Sequence, residues 1–400
     1  MKNILLLTTI YPSPDLNLLN NTNVCHYFAK EWVKMGYNVK VIFNYPIYSP
    51  IFHIIASIFE KKIASSGSAY VTTKRITKDY NYEIEGVKVC RFPLYKFMPR
   101  IKVNNKKITN QVEKIIKSNE KDGFIPDVIV AHFFYPHLEM VINLSDYYKA
   151  INCIVVHEQG IDLHKIYKDK LPLMLDKINT WGFRSEPIRK KFNEKYNLNK
   201  KSFNCYSGIP SEYLSEKENV EDITIPIKRF VYVGSFIERK HPLEIAKALC
   251  KLDYDDWHID YVGMGEYQDK TKKYLESQGR LSNATFWGQR KRNEVQEILK
   301  NNQCFIMISE METFGLVYLE AMSKGLLTIA SKEEGMDGII VNGKNGFLSK
   351  AGSTNELYKL ITEINELPIE KLQNISLEAV KTATNLTDVN VAKYYIESII

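Results

Sequence analysis

Short apolar runs, each closed by a polar or glycine-bearing break and followed by a segment of helical periodicity, recur from one end of this chain to the other. That alternation limits the fold more than any other feature. Apolar runs of about four to eight residues bounded by turn residues read as strands buried on both faces. Parallel strands need crossover helices between them, so the pattern is that of α/β construction. Ile4–Thr9 reads as the first strand, and Asn23–Met35 as an amphipathic helix with Val24, Phe28, Trp32 and Met35 on one face and Gly36 as its stop. Val39–Phe43, Val87–Phe92, Asp127–Ala131, Ile151–Val156 and Thr180–Ser185 read as further strands.

The pattern then restarts. Residues 211–229 are polar and charged, as an interdomain linker would be. Beyond them come strands at Phe230–Val233, His258–Val262, Thr285–Trp287, Cys304–Ile308 and Leu327–Ala330, with helices over Pro242–Leu252, Asn293–Asn301 and Phe314–Lys324. The expected architecture is two Rossmann-like α/β domains facing each other across a cleft. The expected boundaries are residues 1–210, residues 211–384, and a closing helix over 385–400 that carries Val391, Tyr394, Tyr395 and Ile399. In open α/β sheets ligands bind beyond the carboxyl ends of the strands, so the residues just after each strand are where chemistry belongs.

At 400 residues, 44% hydrophobic and 25% charged, the chain can bury two ordinary cores. Its formal charge of +7 is spread along the sequence, which excludes a nucleic-acid-binding arm. The excess fits an anionic small substrate or anionic lipid, and both stay open. The six cysteines are scattered without a C-x-x-C pair and read as free thiols in a reducing cytosol. The apolar start Ile4–Leu7 is too short for a signal peptide, and no stretch reaches the ~18 apolar residues that span a bilayer. A cytoplasmic protein, soluble or peripheral on the inner face of the membrane, is expected. Residues 47–66, with Phe52, Ile54, Ile55, Ile58, Phe59 and then Lys61 and Lys62, read either as a helix packed on its own domain or as a lipid-facing one.

The strongest chemical signal is Ser309–Met322, which follows a strand and opens a helix. Glu312 lies in the loop and Glu320 eight residues on, inside the helix. Between them the helix N-terminus presents unpaired N–H groups and the positive end of the dipole, which together attract phosphate. Gly315 lets a ligand approach the backbone closely. Carboxylates flanking a phosphate site can accept hydrogen bonds from sugar hydroxyls at one end and ribose hydroxyls at the other. That is the chemistry of a nucleotide-sugar donor site.

The segment resembles the E-x7-E motif of the family 4 retaining glycosyltransferases, which have the two-domain GT-B fold. The resemblance continues in order along the second half: Phe230–Lys240 with Gly234 and Lys240, Val262–Glu266 with Gly263, Phe286–Gly288, and Asn342–Leu348. It implies that Glu312 contacts the donor sugar, Glu320 the ribose, and Lys240 the leaving diphosphate. It also implies backbone contacts from Thr313, Phe314, Gly315 and Leu316. No metal is implied, because cations and dipoles set in place beforehand can stabilise the departing charge. Two departures stand out. Ser235 occupies a position where many members carry Arg, with Arg239 as a substitute, and Gly338 replaces an acid, with Asp337 beside it.

In the first half, Asn20, Asn21, Thr22 and Asn23 stand where the family often has a glycine pair. Val155–Asp162 resembles the family's histidine segment, which implies His157 near the reacting sugar and Asp162 beside it. His132, Arg184, Ser207 and Gly208 complete the candidates for the acceptor side. The resemblance implies transfer of a sugar with retained configuration to a saccharide or lipid-linked saccharide in capsule, exopolysaccharide or lipopolysaccharide assembly. A sugar-nucleotide epimerase, a phosphorylase and a non-catalytic subunit of a glycosylation complex on the same fold remain alternatives.

Overall fold

The computed structural model describes residues 2–16, 23–59, 74–97, 102–157, 162–214 and 223–400. These fall into two compact units. The first comprises 1–184, 188–206 and 388–400, and the second 185–187 and 207–387. Asn20, Asn21, Lys61, Lys62, Glu158–Ile161 and the centre of the expected linker lie outside the described residues.

The first unit is built on an eight-stranded sheet in the order β3-β4-β2-β1-β5-β6-β7-β8. Its strands are β1 (Asn3–Thr8), β2 (Asn38–Ile47), β3 (Tyr80–Ile84), β4 (Val87–Tyr95), β5 (Val128–His132), β6 (Ile151–Val156), β7 (Thr180–Phe183) and β8 (Ser202–Asn204). Every pairing is parallel except the edge hairpin of β3 with β4. The central strands are buried end to end because helices cover both faces, which is why β1 and β5 read as unbroken apolar runs.

Helix α1 (Val24–Lys34) buries Val24, Cys25, Phe28, Ala29 and Trp32, spaced to share one face. The Trp32 indole donates to the carbonyl of Ala392, 2.9 Å away, in the helix Asp388–Ile399. That helix buries Val391, Ala392, Tyr395, Ile396 and Ile399 in the first unit, with the Tyr395 ring edge-on to Phe28 and Trp32 at 5.0 Å. The last residues of the chain are therefore part of the first unit's core. Helix α2 (Pro50–Ile58) follows β2, α3 (Asn105–Lys121) packs under β4, and α4 (Phe134–Tyr148) follows β5.

The second unit carries a six-stranded, all-parallel sheet in the order β11-β10-β9-β12-β13-β14. These are β9 (Arg229–Val233), β10 (His258–Val262), β11 (Ala284–Gly288), β12 (Cys304–Ile306), β13 (Leu327–Ser331) and β14 (Phe347–Ser349). Helix α5 (Arg292–Lys300) leads into β12, and α6 (Leu316–Ser323) follows it. Two short strands, β8 and β14, and the edge strand β3 carry too few apolar residues to show in the sequence pattern. In each sheet the strand order reverses once, between β1 and β5 and between β9 and β12. The crevice beyond the carboxyl ends at such a reversal is where open α/β sheets bind ligands. Five of the six cysteines are buried, Cys250 is half-buried, and all six are free.

Candidate active site

In the second unit, three loops meet beyond the reversal point. The loop after β9 runs through Gly234 and Ser235 to Arg239 and Lys240. Gly234 donates its N–H to Val262 (2.9 Å) and Phe236 to Met264 (2.9 Å), so this loop lies along the one after β10. Gly263 sits at φ +133, and a Cβ there would stand 1.9 Å from the Gly234 carbonyl oxygen. No other residue type fits that approach. The Tyr232 hydroxyl donates to the Ser235 carbonyl (2.8 Å), and burial pushes its phenol well above the ordinary tyrosine range. Ser235 itself is exposed.

The third loop follows β12. Gly315, at φ +84, turns the chain into α6. Glu312 is held from two sides: the Lys240 ammonium donates to its carboxylate, and its own N–H donates to the Glu334 carboxylate at 2.7 Å. Arg239 and Glu310 are joined through their backbones, the Glu310 N–H lying 2.7 Å from the Arg239 carbonyl. Thr313 is half-buried and Phe314 buried below the loop. The Tyr318 hydroxyl, one turn into the helix, donates to the Met307 carbonyl (2.7 Å) and ties the helix to the strand end.

Glu320 is buried, and both of its oxygens are engaged. One accepts from Arg292 at 3.1 Å and 2.7 Å, and the other from Gln296 at 3.1 Å. Arg292 and Gln296 sit one turn apart on α5. The Arg292 guanidinium also stacks over the Tyr213 ring, 5.4 Å from its centroid. The Tyr213 carbonyl accepts from Lys324 (2.6 Å) and Ser323 (3.2 Å). Sequence reasoning missed Arg292, Gln296 and Glu334. The i, i+4 spacing of Arg292 and Gln296 is plain in the sequence, but nothing local says which face of the sheet they reach. Asp337, expected to replace an acid, bonds the Glu333 N–H of its own turn (2.6 Å), and Glu334 is the acid that reaches the Glu312 loop.

The first unit gathers a different set. His132 ends β5 and His157 follows β6, with His132 Nδ1 and His157 Nε2 2.8 Å apart. His132 Nε2 lies 3.3 Å from the Tyr395 hydroxyl, and His157 stacks on Phe133 at 4.0 Å. His137 binds the carbonyls of His132 and Phe133 through Nδ1 (2.9 and 2.8 Å) and faces the Asn44 amide through Nε2 (3.1 Å). Its Nδ1 therefore carries the proton and Nε2 accepts, which fixes a neutral ring. Asn44 in turn accepts from Gln111 at 2.9 Å.

Burial, and beyond it the Arg184 charge, holds His132 well below the usual imidazole range; burial, His132 and Arg184 do the same to His157. Burial brings His137 down to about 4. The buried Arg184 donates to the Cys205 carbonyl. Asp162 is a helix cap, accepting from the His164 N–H at 3.1 Å, and Asn23 occupies the N-cap position of α1. Ser207 is buried and falls in the second unit. The structure thus brings Gly234, Lys240, Gly263, Glu312, Gly315 and Glu320 to one sheet end, and His132, His157 and Arg184 to the other sheet's end.

Two Rossmann-like units of this kind make the GT-B fold of glycosyltransferases, and solved structures agree. A glycosyltransferase from Rickettsia africae superposes with a TM-score of 0.69 over 99% of this chain and 97% of its own, at 16% identity. HepE of Anabaena in complex with UDP superposes at 0.66 over 100% and 99%, at 14% identity. Residues 216–382, within the second unit, match the family model Glycosyl transferases group 1. An uncharacterised glycosyltransferase of Methanocaldococcus jannaschii is 24% identical over 180 residues, 45% of this chain and 48% of its own. The UDP-Gal:alpha-D-GlcNAc-diphosphoundecaprenol alpha-1,3-galactosyltransferase of Escherichia coli is 27% identical over 170 residues, 40% of this chain and 42% of its own. The chain spans about half the length of these curated relatives.

Proposed function

We propose that this chain is a retaining glycosyltransferase of the family 4 type. It moves a sugar from a nucleotide-sugar donor, a UDP-sugar, to a saccharide or lipid-linked saccharide, in cell-surface polysaccharide assembly on the cytoplasmic side of the membrane. The observation that carries the reading is the placement of Glu312 and Glu320 on either side of the N-terminus of α6, with Lys240 at Glu312. Glu320, oriented by Arg292 and Gln296, accepts from the ribose hydroxyls, and Glu312 from hydroxyls of the donor sugar. Lys240 and the N–H groups at Gly315 and Leu316 face the diphosphate, whose charge grows as the glycosidic bond breaks. Fixed donors of this kind are worth roughly 10²–10³ in rate each. They supply the stabilisation that a metal supplies elsewhere. The family resemblance assigns neutral His157 to the neighbourhood of the reacting sugar. The acceptor hydroxyl attacks on the face from which the diphosphate leaves, because no carboxylate is assigned as a nucleophile. UDP in the HepE complex and the UDP-sugar and lipid-linked acceptor in the E. coli relative's name support the choice of base and acceptor class.

The test is thermal unfolding with UDP, GDP, ADP and dTDP, for the wild type and for Glu320→Ala. A ligand bound only by the native state, at a hundred times its Kd, adds about 2.7 kcal/mol. Stabilisation by UDP in the wild type and its loss in the variant are expected. No stabilisation by any of the four overturns the donor-site reading. An inverted anomer in the product overturns retention.

A further inference from the structure

Helix α2 wears its apolar face on the outside. Of Pro50–Ile58 only His53 and Ala56 are buried, while Ile51 and Ile58 are each 71% exposed and Ile54 61%. Ile55 and the following Phe59 are exposed as well. At about 100° per residue the four isoleucines share an arc of about 100°, with Phe59 at its edge. A helix that serves its own core turns this stripe inward. Here a polar anchor sets the orientation: His53 accepts from the Tyr48 N–H at 2.9 Å, and Ser49 caps the first turn.

Residues 50–59 contain no charged side chain, but the strand end from which α2 springs is basic. Lys96 donates its N–H to the Ile47 carbonyl (2.7 Å), with Phe97 exposed beside it. The Lys107 ammonium lies 3.5 Å from the ring centroid of Tyr95, which is the register partner of Ile47. Between Tyr95 and Lys107 the sequence holds Lys96, Arg100, Lys102, Lys106 and Lys107, and no Asp or Glu.

We propose that this face of the first unit lies on an anionic bilayer surface. The isoleucines of α2 and Phe97 enter the interface, and the neighbouring lysines face the lipid phosphates. An uncharged apolar ridge set among cations matches such a surface in both respects. A second copy of the chain would bring these cations against its own. The inference deepens the membrane placement proposed above and is independent of the donor site, so either can fail without the other.

The experiment is co-sedimentation of the full chain with vesicles of equimolar phosphatidylglycerol and phosphatidylcholine, beside vesicles of phosphatidylcholine alone. Wild type should bind the mixed vesicles at least tenfold more strongly than the neutral ones, and added salt should weaken the binding. Ile54→Ser with Ile58→Ser should cut binding about tenfold, and Lys96→Gln with Lys107→Gln roughly fivefold per charge. Unfolding midpoints check that both variants fold, and UDP stabilisation should be unchanged in both. Absence of binding to anionic vesicles overturns the proposal, as does full binding by the serine variant. Lipid-free dimerisation abolished by the serine variant assigns the face to a second copy and overturns it too.

Discussion

The carboxyl ends of the two sheets solve different problems with different side chains. Beyond β9 and β12 the groups that matter are charged and set in opposed pairs, Lys240 with Glu312 and Arg292 with Glu320. The backbone there is brought so close that glycine is obligatory. Beyond β5 and β6 the groups are buried histidines held by hydrogen bonds from their neighbours, with the buried Arg184 cation after β7 acting on them. The first arrangement fixes two cations in place, each already paired with a carboxylate. The second holds the His137 imidazole in a fixed tautomer, and its histidines resist gaining charge. The contrast separates a sheet end of fixed, opposed charges from one whose histidines are kept from gaining a proton.

The largest expected effect comes from the backbone contact that defines the charged end. Gly263→Ala places a methyl 1.9 Å from the Gly234 carbonyl at φ +133, so the two loops must part. A cost of about 3 kcal/mol or more is expected. Gly343→Ala is the control: its φ is also positive, +73, but nothing lies within 4 Å of the added Cβ. It should cost about 1 kcal/mol. Urea midpoints for the two variants decide the matter. Equal losses would mean that the close approach of the loops carries no special weight.

The histidine end should show itself in pH. Burial lowers His137 to about 4 from 6.5, so between these values the unfolded chain binds a proton that the folded chain refuses. Its contribution is fully present above the unfolded value and is lost as pH falls toward the folded one. From pH 7 to pH 5 this one group removes about 2 kcal/mol, and His132 and His157 act in the same direction. His137→Asn should be less stable than wild type at pH 7 and show a shallower loss down to pH 5. A slope unchanged in the variant would break the link between this histidine and the acid sensitivity.

The same contrast explains which residues are legible in the sequence. A glycine that must accept a carbonyl at contact distance, or a carboxylate placed one turn into a helix, leaves few residue types to choose from. Gly263, Gly315, Glu312 and Glu320 therefore stand out as a spaced pattern, as do the apolar strands β1 and β6. The partners that orient them do not. Arg292 and Gln296 come from another helix, and their spacing is that of any helix face. In the first unit, His132 and His157 can be named as strand-end histidines, but nothing in the sequence tells that they bond each other. The reach of Tyr395 to His132, across 263 positions, is set by packing alone.

The smallest effect tests whether the charged end is set for its ligand or must first be opened. Arg292 occupies one oxygen of Glu320 with two donors, and Gln296 takes part of the other. If this clamp orients Glu320 for ribose, Arg292→Ala should weaken UDP binding about tenfold, or about 1.4 kcal/mol. Arg292→Lys should recover only part of the loss, since an ammonium cannot reproduce the two-pronged contact. Arg292 is more than a third exposed, so the stability of the ligand-free chain should change by less than about 1 kcal/mol. Titration calorimetry of UDP against the three proteins reads the sign directly. Tighter binding by the alanine variant would mean that Arg292 guards the carboxylate and must swing off it before the nucleotide can bind.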